Sequence, residues 1–298
     1  MLTHPGNPQT TWISHLKDYL HRTEQVIYVK EYFMDSPLCY IGGKSQLSGE
    51  IINRIPDHLS YVECFAGAAW VFFRKAPSKI EILNDRDGDL VSFYRVLQNH
   101  FEEFIKQFKW LVLSRQWWKE WNDQLEAGGL TDIQRAARYY YVQRQCFGGR
   151  VRGRTFGTSP EQAPRINLVR LEEELSEVYL RLSGVLVENL DYKDLIKRYN
   201  KPETFFYLDP PYYKAPFYKY NMELKDFEEM HETLKTIQGK FMLSINNHPD
   251  IVEIFNDFII ENIDVKYSIQ IKGEHTGKEL IIRNYKISNK VEPQVLDL

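Results

Sequence analysis

Short apolar runs alternate with amphipathic segments along most of the chain, which is the pattern of strands followed by helices. The strand-like runs lie at 60–65, 79–84, 185–189, 205–209 and 241–246, and a closing hairpin is predicted to join 265–271 to 279–287. Helices are predicted at 192–199, 224–238 and 249–256. This alternation predicts an α/β fold with a doubly wound, mostly parallel, Rossmann-like sheet and a ligand site at the carboxyl ends of the strands.

Two more helices are predicted in the first third of the chain. The segment YIGGKSQL, at 40–47, contains a Gly-Gly turn that leads into a helix through Ile55. Apolar residues recur at helical spacing from Leu90 to Phe108, which predicts that this stretch is amphipathic helix.

The strand pattern disappears between Trp110 and Leu182, where aromatic and basic helical segments surround a Gly/Arg-rich stretch at 146–160. We interpret 110–182 as an inserted, mainly helical domain, so that 1–109 and 183–298 together form the sheet domain. Aromatic residues of the insertion are expected to form its core rather than a binding surface. They are Trp117, Trp118, Trp121 and Tyr139 to Tyr141.

Composition limits where the protein acts and what it binds. Of the 298 residues, 43% are hydrophobic and 27% charged, as in an ordered globular protein. The three cysteines lack the spacing of a zinc site or a disulfide framework, which favours a reducing cytoplasm. No secretion signal or apolar run of membrane-span length is recognisable, so no membrane is expected as a partner. A net charge of −3 means that any nucleic-acid site must be a local patch.

A small-residue turn, Phe65-Ala66-Gly67-Ala68-Ala69, follows the first predicted strand and precedes a helix. Small residues there let backbone amides approach a ligand closely. The second strand ends in Asn84-Asp85, 18 residues beyond Gly67, which suits hydrogen bonds to ribose hydroxyls. A tight turn without a ligand, with Asp85 as a helix cap, explains the same residues. These features alone do not separate a dehydrogenase from a methyltransferase.

The chemistry is indicated by Asp209-Pro210-Pro211-Tyr212, which follows the apolar strand at 205–209. Two successive prolines stiffen the backbone and prevent helix or ladder continuation. The Asp209 carboxylate and the Pro210 carbonyl then present two acceptors to a planar amino group, and Tyr212 offers a stacking face. Acceptors that localise the lone pair of an exocyclic amine promote its attack on a sulfonium methyl. The alternative is a rigid strand exit without catalytic function.

Together these motifs resemble the Dam-type, D12 class adenine DNA methyltransferases, over nearly the whole chain from Tyr40 to Tyr285. The resemblance implies S-adenosylmethionine as cofactor, S-adenosylhomocysteine as product, no metal, and double-stranded DNA as substrate. It also implies Asp209, Pro210, Pro211 and Tyr212 as catalytic residues. The cofactor-binding residues that it implies are Tyr40, Gly43, Lys44, Phe65, Ala66, Gly67, Ala68, Asp85, Asp191, Tyr192 and Asp209.

Several matched residues have alternative explanations. Lys44, which is expected to pair with the cofactor carboxylate, is also explained as a solvated lysine at a helix start. Phe65 suits a simple core position, and Asp191 suits a cap of the following helix. Ala69 stands where the family usually has a second glycine, and no lysine precedes Gly42 at the position where several Dam proteins contact a flanking base.

A candidate DNA-binding patch lies between Tyr141 and Ser159, where basic and aromatic residues are interleaved with glycines and no acidic residue occurs. Arginines contact phosphates and guanine edges, and an aromatic ring fills the gap left by a flipped base. The predicted DNA-binding residues are Arg144, Phe147, Arg150, Arg152 and Arg154. By comparison with the family, Phe147 is the wedge and Arg152 a base reader. The alternative is a solvated loop whose charge aids solubility.

The sequence therefore predicts a cytoplasmic enzyme that methylates the N6 amino group of adenine in a specific DNA sequence after flipping the base, without an obligatory protein partner. A restriction-modification role is one of several biological settings left open. The alternatives are methylation of cytosine N4 or of adenine in RNA, and a noncatalytic DNA-binding protein with a methyltransferase-like shell. A dehydrogenase is disfavoured because no G-x-G-x-x-G follows the first strand.

Overall fold

A β-sheet lies at the centre of the protein in a computed structural model that describes residues 34–40, 42–157, 164–215, 218–266 and 276–287. Within these residues the sheet has seven strands. They are β1 (Ser60–Glu63), β2 (Ile80–Asn84), β3 (Leu186–Glu188), β4 (Thr204–Leu208), β5 (Lys240–Asn246), β6 (Ile259–Lys266) and β7 (Thr276–Arg283).

The strand order is β3-β2-β1-β4-β5-β7-β6. The first five strands are parallel, and β7 runs antiparallel to both β5 and β6. Because the chain adds β2 and β3 on one side of β1 but β4 and β5 on the other, the carboxyl ends of β1 and β4 flank a topological switch point, where ligands bind in such sheets. The predicted doubly wound sheet with a closing antiparallel hairpin is confirmed.

Helices cover both faces of the sheet, which explains why the central strands read as continuous apolar runs. All five residues of β4 are buried, as are three of the four in β1. The α-helices of the described residues are α1 (Ser48–Asn53), α2 (Trp70–Arg74), α3 (Gly88–Asn99), α4 (Phe101–Lys106), α5 (Arg115–Ala127), α6 (Asp132–Arg144), α7 (Leu171–Leu182), α8 (Tyr192–Tyr199), α9 (Leu224–Lys235) and α10 (Pro249–Ile254). None of these helices has both the length and the apolar surface needed to cross a membrane.

The stretch from Leu90 to Phe108, predicted to be helical, forms two helices, because His100 separates α3 from α4 with a non-helical backbone (φ −137°, ψ 41°). The apolar spacing does not reveal this break because Phe93, on α3, and Phe104, on α4, pack in the same core. The helix predicted to follow the Gly-Gly turn also begins later than expected, at Ser48.

The first strand of the closing hairpin was predicted at 265–271, but β6 begins six residues earlier, at Ile259. Residues 267–271 lie outside the described residues. Polar side chains at Glu261, Asn262 and Asp264 hide the strand in the sequence. β6 is an edge strand that is hydrogen-bonded to a neighbouring strand on one side only, and polar or charged side chains are common on such strands.

The helices of the inserted segment, α5, α6 and α7, pack beside α3. Phe93 of α3 stacks on Tyr140 of α6 at 5.6 Å, and their side chains belong to one cluster that continues into the sheet. Trp118 and Trp121 are buried with them, whereas Trp117 is 39% exposed. The division of the chain at 110 and 182 into separate domains stays a prediction.

Candidate active site

The carboxyl ends of β1, β2 and β4 border a cavity of about 380 Å³. Tight backbone turns and buried carboxylates line it, as expected for a site at a topological switch point. The structure brings to this cavity the residues predicted to bind the cofactor and two of the four residues predicted to be catalytic. They are Tyr40, Gly43, Lys44, Phe65, Ala66, Gly67, Ala68, Asp85, Asp191, Tyr192, Asp209 and Pro211.

The small-residue turn between β1 and α2 has a left-handed backbone at two positions. Gly67 has φ 48°, and a Cβ atom there would lie 3.4 Å from the Tyr40 ring. Ala69 has φ 52° and ψ 38°, a conformation that glycine adopts at lower cost. The Gly67 N–H donates to Asp85 Oδ2 at 2.9 Å, so the turn is fixed to the end of β2.

Asp85 organises the backbone on both sides of the cavity wall. Besides Gly67, it accepts a hydrogen bond from the Asp87 N–H at 2.8 Å. Asp87, not Asp85, caps α3 by accepting from the Asp89 N–H. The helix-cap explanation of Asp85 is therefore wrong. Burial raises the pKa of Asp85 to about 6, although the N–H groups of Asp87 and Gly67 oppose this shift.

Asp209 stands directly after β4, and its side chain is 19% exposed. Its Oδ1 atom lies 2.5 Å from Lys44 Nζ and accepts a longer hydrogen bond, 3.3 Å, from Ser244 Oγ. Burial raises the pKa of Asp209 to about 6, against the opposing charge of Lys44. The carboxylate is therefore ionised at neutral pH and remains a hydrogen-bond acceptor.

Lys44 is only 4% exposed, so the alternative of a solvated lysine is wrong. Its ammonium group lies 2.9 Å from Tyr212 Oη and 3.2 Å from Glu279 Oε1, in addition to Asp209. Burial alone would lower the pKa of Lys44, but the carboxylates of Asp209 and Glu279 raise it well above its ordinary value. Because an ammonium has three N–H donors, protein acceptors already engage all of them, and pairing with a cofactor carboxylate stays a prediction.

Asp191 and Tyr192 lie where the chain enters α8. Asp191 caps this helix by accepting from the Lys193 N–H at 3.0 Å, and it also borders the cavity. The cap and the cofactor contact are therefore compatible. The ring of Tyr192 lies 5.4 Å from that of Phe65, which forms an aromatic wall between the turn and α8.

Glu63, at the end of β1, was missed in the sequence although it borders the cavity. It is 2% exposed and accepts a hydrogen bond from Tyr61 Oη at 2.7 Å. Burial raises its pKa to about 8, so the carboxyl group is mostly protonated at neutral pH. The available signal was an acidic residue at the end of an otherwise apolar strand.

A segment after the two prolines, residues 218–222, also borders the cavity and carries no recognisable motif. Lys219 Nζ lies 2.7 Å from Asp87 Oδ1 and 3.3 Å from Asp89 Oδ2, which ties this segment to the start of α3. Only the folded chain brings these residues together.

The predicted DNA-binding patch forms a hairpin-like loop after α6. Cys146 and Phe156 form an antiparallel bridge, and the Phe147 N–H donates to the Thr155 carbonyl at 2.8 Å. Residues 158–160 of this stretch lie outside the described residues. Phe147 is 52% exposed at the start of the loop.

The four arginines predicted to bind DNA, of which Arg144 ends α6 and the other three lie in the loop, divide into two groups. Arg150 and Arg152 are exposed. Arg144 is half-buried and donates to the Arg165 carbonyl at 2.7 Å. Arg154 is also half-buried, with its guanidinium carbon 5.6 Å from the centre of the Tyr139 ring. The exposed pair is available to a phosphate chain, whereas the other two contact the protein interior.

The loop is joined to the segment that precedes the Gly-Gly turn. The buried Gln143 side chain donates to the carbonyls of Cys39 and Gly149, both at 2.8 Å. A Cβ atom on Gly149 would lie 2.8 Å from the Tyr40 nitrogen, so the two segments are in direct backbone contact. Gly149 of the loop therefore lies beside the Tyr40 backbone, and Gly67 of the small-residue turn lies beside the Tyr40 ring.

Within the described ranges, no group of three or more His, Cys, Asp or Glu side chains is arranged to hold a metal ion.

Comparison with known proteins places these features in a family. The family model of the D12 class N6 adenine-specific DNA methyltransferases matches residues 40–269. The chain is 26% identical to the type II methyltransferase M.CviBI of Paramecium bursaria Chlorella virus NC1A, over 82% of this chain and 97% of that protein. It is 24% identical to the type II methyltransferase M.MjaIII of Methanocaldococcus jannaschii, over 83% and 98%.

A third relative is the DNA N-6-adenine-methyltransferase of Escherichia phage P1, which is 23% identical over 91% of this chain and 38% of that longer protein. The match of the family model covers the Gly-Gly turn, the Gly67 turn and the Asp-Pro-Pro-Tyr corner. The chain belongs to the D12 class N6 adenine-specific DNA methyltransferase family.

Proposed function

We propose that the protein transfers a methyl group from S-adenosylmethionine to the N6 amino group of adenine in double-stranded DNA, at the corner Asp209-Pro210-Pro211-Tyr212. Family membership establishes DNA methylation, and the cofactor, the flipped base and the mechanism are the proposal. One observation carries it: the Asp209 carboxylate and the Gly67 turn face the same cavity.

The residues of the cavity suit this cofactor. Gly67 has no side chain, so its backbone lines the cavity directly beside the Tyr40 ring. Carboxylates at Asp85, Asp191 and Asp209 border the same space and suit ribose hydroxyls and positively charged groups. When bound, S-adenosylmethionine supplies an electrophilic methyl group on a sulfonium centre.

The chain's own residues position the amine. Asp209 and the Pro210 carbonyl accept hydrogen bonds from the adenine amino group, which localises its lone pair, and the negative charge of Asp209 stabilises the positive charge that develops on the amino nitrogen. The proline pair fixes the corner in advance, so little reorganisation accompanies the reaction. Tyr212 stacks on the flipped base while Lys44 and Glu279 hold its hydroxyl.

The loop at 145–157 binds the DNA duplex. Its exposed Arg150 and Arg152 contact phosphates and base edges, and Phe147 occupies the space that the flipped adenine leaves. Its direct contact with the segment that carries Tyr40 supports a DNA path beside the cavity.

The test is Asp209→Asn, which keeps the shape of the side chain but replaces one acceptor oxygen with an amide donor. Transfer of labelled methyl groups to DNA is expected to fall by at least about 100-fold, the usual effect of removing one preorganised polar group. Calorimetry with S-adenosylmethionine is the control and should still detect binding. Wild-type rates of transfer in this variant would refute the proposed role of Asp209.

A second measurement identifies the base. DNA methylated by the wild-type protein is digested to nucleosides, and N6-methyl-2′-deoxyadenosine is the expected modified product. Recovery of N4-methylcytosine, or methylation of RNA alone, would contradict the substrate assignment. Cofactor binding without any methyl transfer would indicate a noncatalytic DNA-binding protein.

A further inference from the structure

Asn246 and Glu279 face the catalytic corner from the antiparallel part of the sheet. They are directly opposite each other in the ladder between β5 and β7, so both side chains point to the same face. Neither residue lines the cavity. Their side chains contact Tyr213, Tyr212 and Lys44, so they act on the reaction through those residues.

Asn246 holds the backbone immediately after the proline pair. Its Oδ1 atom accepts from the Tyr213 N–H at 3.0 Å, and its Nδ2 group donates to the Tyr213 carbonyl at 3.2 Å. The side-chain amide thus pairs with both main-chain groups of one residue, as a neighbouring strand would. This fixes the direction in which the chain leaves Pro211.

Glu279 holds the side chain of Tyr212, the residue before Tyr213. Its two carboxylate oxygens accept from Tyr212 Oη at 2.8 Å and 2.7 Å, and Oε1 lies 3.2 Å from Lys44 Nζ. Glu279 is fully buried. A buried carboxylate is costly unless its charge and lone pairs are compensated, and Lys44 and Tyr212 provide that compensation.

We propose that Asn246 and Glu279 are positioning residues for methyl transfer, Asn246 by fixing the backbone at Tyr213 and Glu279 by orienting Tyr212 and sharing Lys44 with Asp209. This rests on the proposed function of the corner. The two residues form one support because they are neighbours across the β5–β7 ladder, although they are far apart in the chain.

Glu279 also influences the charge of Asp209. The ionisable groups that face Asp209 are the ammonium of Lys44, the carboxyl groups of Glu279 and Glu63, and the phenols of Tyr207 and Tyr218. The negative charge of Glu279 raises the pKa of Asp209, and Lys44 lowers it. Removal of the Glu279 charge therefore lowers the pKa of Asp209 and leaves Lys44 to pair more strongly with it.

The experiment compares Glu279→Gln and Asn246→Ala with the wild type in steady-state methylation of DNA across pH. Both variants should lower kcat by on the order of ten- to hundredfold, because a small displacement of the reacting groups has this effect. The KM for DNA and the Kd for S-adenosylmethionine should stay within about twofold, since neither residue lines the cavity. The acid limb of the kcat profile should move to lower pH only in Glu279→Gln.

Glu261→Gln is the matched control. Glu261 lies on the neighbouring strand β6, pairs with Arg54 and Arg283, and has a 31% exposed side chain. It should leave kcat and the acid limb unchanged. Thermal unfolding of each variant separates loss of positioning from loss of fold, and Asn246→Ala tests the support independently if Glu279→Gln does not fold.

Wild-type kcat with an unshifted acid limb in folded Glu279→Gln would overturn the role of Glu279. Wild-type kcat in Asn246→Ala would overturn that of Asn246. Failure of the proposed function would give other results: the wild type itself would not methylate DNA, or Asp209→Asn would remain active.

Discussion

Two carboxylates at the strand ends combine burial with a functional position. Asp85 and Asp209 both border the cavity, and burial raises the pKa of each to about 6. An aspartate with an ordinary pKa near 3.9 would stay ionised throughout the physiological range. A moderate drop in pH is therefore expected to change the charge of both residues, and we expect methyl transfer and cofactor binding to depend on pH near 6.

The first prediction concerns kcat at saturating cofactor and DNA. Asp209 must be ionised to accept from the amino group, so kcat should be constant above pH 7 and fall below about pH 6, toward a tenfold loss per pH unit. A pH profile of methyl transfer measures this. A profile that stays flat down to pH 5 would show that the reaction does not need the Asp209 carboxylate ionised.

Asp85 is tested by a binding measurement on the wild type and on Asp85→Asn. Calorimetric titration with S-adenosylmethionine reports on Asp85 without the chemical step, and the cofactor Kd should rise below about pH 6. In Asp85→Asn the affinity should be weaker at neutral pH, and the dependence near pH 6 should decrease.

We also predict that Gly67→Ala weakens cofactor binding by about fivefold, because the preferred turn must be re-imposed on the alanine when the cofactor binds. The left-handed backbone at Gly67 costs an alanine roughly 1 kcal/mol, and its Cβ atom would lie 3.4 Å from the Tyr40 ring at the cavity wall. Calorimetry measures the loss. Gly49→Ala is the control, because Gly49 lies in α1 with open space around it and should not change cofactor affinity.

At the scale of elements, a buried ion network joins the helical segment to the sheet. Glu81 of β2 lies 2.5 Å from Lys75 Nζ, at the end of α2, and 2.5 Å from Arg181 Nη1, on α7. The three side chains are at most 7% exposed. One carboxylate thus compensates two buried cations, which fixes α2 and α7 to the same strand.

Glu81→Gln should therefore lower the free energy of unfolding by about 3 kcal/mol, because it leaves two cations buried without their counter-charge. Urea denaturation followed by circular dichroism measures the change. Glu173→Gln, which breaks an exposed ion pair with Arg170 on α7, should leave the denaturation midpoint unchanged. Equal effects of the two substitutions would show that the buried network does not contribute more than a surface pair.

At the scale of the whole molecule, the net charge is −3, yet the loop at 145–157 carries two exposed arginines, Arg150 and Arg152, and no acidic residue. This loop is attached through Gln143 to the segment that leads to the Gly-Gly turn. Binding of a polyanion is therefore expected on one side of the molecule, next to the cavity, and not over the whole surface.

Arg152→Ala should weaken DNA binding and reduce the slope of log K against log salt by about 1, the contribution of one phosphate contact. Fluorescence anisotropy at several salt concentrations measures this. Arg144→Ala is the comparison, because Arg144 bonds to the Arg165 carbonyl and its loss should lower thermal stability while the slope stays the same. An unchanged slope in Arg152→Ala would place the DNA elsewhere.

The sequence by itself determined the type and order of the central elements and the motifs at their ends. Strands β1, β2, β4 and β5 are buried apolar runs, and a continuous run of this kind carries its signal locally. The Gly67 turn and the Asp209 corner are equally local, because backbone restrictions of glycine and proline act on neighbouring residues.

Only the tertiary structure decided which side chains meet. Lys44 lies against Asp209 and Glu279, residues more than 160 positions away, because the order of strands brings their ends together. Packing between distant elements also decides that Arg152 is exposed while Arg154 is half-buried. It likewise decides that the helical stretch is interrupted at His100, between α3 and α4. A local pattern of apolar and polar residues contains no information about these partners, since it specifies the face that a residue occupies and not the residue that it meets across the core.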